Sequence, residues 1–142
     1  MTGSPFRIVT LLSNPYNPDE RVRHESLALR DAGYDVTILA WDRDCTRPEE
    51  ERVEGLVVKR IKVRGGYKQG ARQGIPLLQV WRRFANEMGH AQPDVVHCHD
   101  LDTLPPGVWY ALQHRRVRLI LDAHENYYMM KKPDVSAPVA WA

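Results

Sequence analysis

A chain of 142 residues, 43% hydrophobic and 27% charged, has the size and composition of a single soluble domain around one core. A formal net charge of +2 is too small to mark a nucleic-acid-binding protein, so nucleic acid is excluded as an expected partner. The apolar run at residues 8–12 is far too short for a signal peptide or a membrane span.

Residues 6–12 are rich in strand formers and read as a first strand. Ser13-Asn14-Pro15-Tyr16-Asn17-Pro18 then stops it with turn chemistry. A helix is expected over about 19–32, with Asp19 and Glu20 at the positive end of its dipole and Gly33 as its stop. Residues 35–41, almost wholly apolar, read as a strand buried on both faces, as in a parallel sheet. Residues 43–55 read as charged loop. Residues 56–63 alternate and read as a third strand nearer a sheet edge. A glycine-rich basic loop over 64–74 leads to a helix over 75–90, whose apolar residues 77, 78, 80, 81, 84, 85 and 88 form a stripe. Pro93-Asp94 introduces a fourth strand at 95–99. A helix follows at 102–114, capped by Asp102 or Thr103 and with Pro105-Pro106 in its first turn. A fifth strand spans 117–121, and from Asn126 the chain can begin a helix that Pro133 ends. Strands alternating with helices, joined by right-handed crossovers, predict an α/β, Rossmann-like open parallel sheet of order 3-2-1-4-5 with helices on both faces.

Ligands of such sheets bind beyond the carboxyl ends of the strands. There the sequence places Ser13-Asn14-Pro15, His99-Asp100-Leu101-Asp102-Thr103 and Asp122-Ala123-His124-Glu125, so hydrogen-bonding and titratable groups from three segments converge. His97 and His99, two apart on a strand, share a face. In one reading they hold a metal, with Asp100 or His124 as third ligand. In the other, His97 is a hydrogen-bonded interior residue and only His99 reaches the pocket. Arg21, in a first helical turn where the dipole disfavours cations, either faces an anionic substrate group or pairs with Glu25. No G-x-G-x-x-G and no P-loop follows the first strand, against a dinucleotide site. Cys45 lies in a polar loop and Cys98 in an apolar run. Two free thiols and a cytoplasmic location are therefore expected, and no cysteine spacing suggests a structural metal.

Three blocks together resemble group 1 glycosyltransferases of family four. They are Asn17-Pro18-Asp19-Glu20-Arg21-Val22-Arg23-His24-Glu25 with the helix and strand that follow, Pro93-Asp94-Val95-Val96-His97-Cys98-His99-Asp100-Leu101-Asp102-Thr103-Leu104-Pro105, and Leu121-Asp122-Ala123-His124-Glu125. The resemblance implies the N-terminal, acceptor-side half of a two-domain GT-B fold. It implies sugar transfer from a nucleotide-diphosphate donor to a sugar or lipid-linked acceptor, metal-independent and retaining, with no cofactor and a possible place in cell-envelope polysaccharide synthesis. By position His99 matches the catalytic histidine beside the donor sugar. Asn14, Asp100, His124 and Glu125 match substrate-facing positions, to which the residue reading adds Arg21. The loop Ser13-Asn14-Pro15-Tyr16-Asn17 lacks the glycine pair of many members. The donor-binding C-terminal domain is expected to be missing, as are the last strands of this one, so the isolated chain is expected to be inactive. A nucleotide-sugar 2-epimerase on the same scaffold and a non-catalytic domain of a split assembly are the alternatives. From Lys59 to Arg83 there are eight basic residues and no acidic one. Arg64, Lys68 and Arg72 either form a solvated surface or line the acceptor entrance and attract anionic lipid at the inner face of the plasma membrane.

Overall fold

The computed structural model describes residues 5–65 and 74–123. Six strands and three helices run in the order β1 (Arg7–Leu12), α1 (Glu20–Asp31), β2 (Asp35–Asp42), β3 (Glu50–Val53), β4 (Leu56–Lys62), α2 (Gly74–Ala91), β5 (Val95–His99), α3 (Leu104–Gln113) and β6 (Arg118–Asp122). The sheet order is β3-β4-β2-β1-β5-β6. All pairings are parallel except β3 with β4. The five expected strands therefore stand in the expected order, with crossover helices on both faces.

One element departs from expectation. Residues 50–53, read as loop, form an antiparallel edge strand, which moves β4 one place inward. Their sequence, Glu-Glu-Arg-Val, carries almost no apolar signal because one side of the strand faces solvent and charge suits an edge. The hairpin closes through Glu54 and Gly55, both left-handed at φ 50° and 82°. That pair of positive angles is what a two-residue hairpin turn needs, and glycine adopts it without strain.

Strand alternation sorts the core into two layers. On one face α1 covers Ile8, Leu12, Val36, Ile38, Ala40, Leu56 and Val58 through Val22. On the other, α2 and α3 bring Val80, Phe84, Met88 and Tyr110 onto Val9, Leu11, Leu39, Ile61, Val96 and Cys98. Asp19 caps α1 by accepting from the Val22 amide at 3.4 Å. Gly107 sets the approach of α3: a Cβ there would lie 2.4 Å from Cys98 Sγ and 3.0 Å from Leu119 Cδ1. Thr103 occupies the N-cap of α3, but its hydroxyl donates backwards, to the carbonyl of His99 at 2.7 Å. Both cysteines are free, as expected. Among the described residues no helix is long and apolar enough to cross a membrane.

Among the described residues, Arg60 is the one buried cation of the α1 face. It donates to the carbonyls of Pro15 at 2.7 Å, Tyr16 at 3.2 Å and Pro48 at 3.3 Å, and to the Glu51 carboxylate. One guanidinium thus fixes the loop after β1 against the β3–β4 hairpin. Such a fork satisfies carbonyls that the prolines and the irregular backbone leave outside the ladders. On the surface Arg23 ties α1 to the same hairpin through the two carboxylate oxygens of Glu54, at 2.5 and 2.6 Å. Arg23 thereby holds the Glu54 carboxyl below its ordinary pKa.

Candidate active site

The carboxyl ends of β1, β5 and β6 bring the polar segments to one edge of the sheet. At its centre is His99, which stands opposite Asp122 in the parallel register of β5 and β6. Its Nε2 lies 3.7 Å from Glu25 Oε2 of α1, and its Nδ1 lies 3.9 Å from Asp122 Oδ2. His97, on the same face of β5, sets its ring 4.3 Å from that of His99 with a 38° tilt. One ligand atom from each of Glu25, His97, His99 and Asp122 falls within 4.8 Å of all the others, so two imidazoles and two carboxylates make a set that could hold a divalent ion. Of the third ligands foreseen from the sequence, Asp100 is not in that set, and His124 lies outside the described residues.

The two histidines reverse the expected exposure. His99 is 1% exposed, whereas His97 is only half-buried. The cause is Glu25: with Val22, Ser26 and Leu29 it lies on the stripe of α1 that faces the sheet, and its side chain reaches over the end of β5.

Asp100 follows His99 in the left-handed region at φ 68°. Its amide donates to the Asp122 carbonyl at 2.9 Å, which bends the chain off the strand toward α3. Asp102 lies beside it. Burial raises the Asp102 carboxyl pKa, while a hydrogen bond with Ser13 and the charge of Arg43 oppose the rise and Asp100 adds to it. Trp81 of α2 donates its Nε1 to the Asp102 carbonyl at 2.8 Å, so the loop is also held from the far side. Cys98 is no nucleophile: burial pushes its thiol up to about 12.

The remaining expected residues are placed as follows. Asn14 donates to Asp19 Oδ2 at 3.1 Å and accepts from the Tyr16 amide at 2.9 Å, so its amide braces the loop and the start of α1. Arg21 is exposed on the first turn of α1, and among the described residues no ion pair joins it to Glu25, whose partner is His99. His124 and Glu125 lie outside the described residues, as do Lys68 and Arg72 of the basic loop. Glu25 was not expected at the site, and Asp122 and Asp102 were expected only as members of the converging segments, without a role of their own. The helical stripe containing Glu25 and the register of Asp122 with His99 are the signals that mark the first two.

The comparisons agree with this architecture. None of the curated proteins searched matches the chain. Among solved structures, a sucrose-phosphate synthase from Thermosynechococcus elongatus is similar at TM-score 0.63 and 17% identity, over 92% of this chain and 36% of that one. An α,α-trehalose-phosphate synthase (UDP-forming) from Burkholderia vietnamiensis is similar at TM-score 0.54 and 9% identity, over 83% of this chain and 32% of that one. The chain thus spans about a third of the length of either enzyme, and at these identities the likeness establishes the Rossmann-like fold that both share. The sequence itself matches the model of glycosyltransferase family 4 over residues 20–141, and the chain belongs to that family.

Proposed function

We propose that this chain is the acceptor-side half of an enzyme that moves a sugar from a nucleotide-diphosphate donor to a hydroxyl acceptor, with retention and without a metal. The observation that carries the reading is the polar edge of an otherwise apolar sheet, where His99 sits between two carboxylates in a chain of this family. Glycosyl transfer develops positive charge on the sugar and negative charge on the leaving diphosphate. In this reading His99 hydrogen-bonds and orients the donor sugar, and Glu25 and Asp122 fix its ring from either side. The reading gives substrate-binding roles to Asp100, His124 and Glu125, and Arg21 attracts an anionic substrate group. Because His99 is buried, sugar contact requires the side chains over its ring to move when substrate binds. The basic groups that stabilise the leaving phosphate belong to a second, donor-binding half. Half a cleft can neither exclude water nor align two substrates, so the chain alone is inactive. The working compartment is the cytoplasm, where nucleotide-sugars and reduced thiols coexist.

The test is product analysis of the longer enzyme with nucleotide-sugars, with and without acceptor. Transfer that continues in excess chelator is expected. Loss of transfer on chelation, or sugar conversion without acceptor, would refute the reading. His99→Gln should lower kcat/KM at least about a hundredfold while moving Tm by only a few degrees. Equal damage to both would reduce His99 to a packing residue.

A further inference from the structure

On the α2–α3 side, away from the His99 cluster, the N-terminal halves of the two helices leave an open groove of about 630 Å³. It is lined by Ile75, Leu78, Trp81, Arg82, Pro106 and Trp109, among others. Around it the large apolar side chains are bare: Ile75 is 71% exposed, Leu78 55%, Trp109 55% and Leu112 74%. The apolar stripe foreseen for α2 is therefore divided. Val80, Phe84 and Met88 turn into the core, while Leu78 turns out, beside Ile75, which lay outside the foreseen stripe. Spacings of three residues, 75 to 78 and 109 to 112, keep each exposed pair on one side of its helix. A contiguous apolar patch of this kind marks a surface that meets something.

Its charge says what. The acidic and basic residues of α2 are Arg82, Arg83, Glu87 and His90, and α3 has none. Glu87 is taken up by Lys59, whose Nζ lies 3.2 Å away. Arg82 and Arg83 are exposed, Arg82 on the groove itself, and Arg64 is exposed just after β4. Bare tryptophan, leucine and isoleucine flanked by arginines, with the one acid of the two helices neutralised, is the composition of a surface that lies in an anionic lipid interface. Both helices follow carboxyl ends of strands, so their N-terminal halves lie toward the same edge of the sheet as the candidate site, but on its opposite face. Trp81 belongs to both: its ring lines the groove and its Nε1 holds the Asp102 carbonyl.

We infer that the α2–α3 groove docks the protein onto an anionic bilayer, with Ile75, Leu78, Trp109 and Leu112 entering the headgroup–acyl boundary and Arg82 and Arg83 meeting lipid phosphates. The docking needs no donor and stands apart from the transfer reaction. It can be tested by flotation of the 142-residue chain with vesicles of phosphatidylcholine alone, and with vesicles containing about one-third phosphatidylglycerol. Binding to the anionic vesicles only, weakened by salt, is expected. Ile75→Ser with Leu112→Ser should lower the partition coefficient at least about tenfold. Arg82→Gln with Arg83→Gln should lower it about thirtyfold and remove most of the salt dependence. All four positions are exposed, so the two variants probe the surface by independent forces. No binding, binding indifferent to lipid charge, or variants that bind like the parent chain would overturn the inference. A dimer in sedimentation equilibrium that Ile75→Ser with Leu112→Ser dissociates would assign the patch to a second copy instead.

Discussion

On the α2–α3 side of the sheet, Val9, Leu11, Leu39, Val96 and Cys98 meet Val80, Phe84, Met88 and Tyr110 in a layer held by shape and burial. On the α1 side, the same strands turn Thr10, Arg60 and His99 inward among Ile8, Leu12, Ile38 and Val58, and all three of those polar residues are buried. Strand β5 shows the contrast within five residues, with Val96 and Cys98 to one face and His97 and His99 to the other. A single sheet thus separates a face that holds the domain together from a face on which charge is positioned. The apolar face tolerates no added volume, and the polar face tolerates no lost partner.

The largest expected effect is on the polar face. Arg60→Met strips a buried guanidinium from three carbonyls and Glu51 together, leaving acceptors that the fold cannot rehydrate. A loss of about 3–5 kcal/mol in urea unfolding is expected. A loss below about 1 kcal/mol would mean that the loop after β1 and the hairpin are held by something else. On the apolar face, Gly107→Ala drives a methyl to within 2.4 Å of Cys98 Sγ, and α3 must lift. About 1–3 kcal/mol should be lost, and Cys98→Ala in the same chain should restore part of it by clearing the sulfur. An unchanged Tm would show that α3 is not seated where Gly107 places it.

The smallest effect sharpens the boundary between the two faces, at the loop that Trp81 grips. Burial raises the Asp102 pKa above its unfolded value. The folded state therefore binds the extra proton, and stability falls as pH rises from the unfolded pKa through the folded one. Below that window the penalty is absent, and above it the penalty is complete. Asp102→Asn should flatten this part of the stability–pH curve and leave the chain slightly more stable at neutral pH. An identical curve in parent and variant would show that Asp102 ionises without cost.

The helices and the five parallel strands were legible in the sequence because each carries an apolar run or stripe in the residue order. Strand β3 was not. Glu50, Glu51 and Arg52 pair with β4 by backbone and charge, and an edge needs no apolar alternation to form. Site residues divide in the same way. His99 and Asp100 were legible as polar groups at a strand end. Glu25 was legible only as a helix residue four places from Arg21, since a sequence window cannot reveal that α1 lies over β5. Asn14 was located correctly after β1, but its amide is committed to Asp19 and Tyr16, a choice made by loop geometry. The direction of Leu78 was hidden for a related reason: helical period locates a stripe, whereas the width of the sheet beneath decides how much of it is covered.

The charged hairpin at one border has a consequence for assembly. A sheet extends only where a bare strand offers its backbone to a newcomer. At the β3 border a newcomer would meet Glu50, Glu51 and Arg52, with the turn already fastened down by Arg23. At the opposite border β6 presents Leu119, Ile120 and Leu121, and both Ile120 and Leu121 are exposed. Growth of this sheet is therefore one-directional: any further strand, from this chain or another, joins beside β6, next to the Asp122 end of the polar edge.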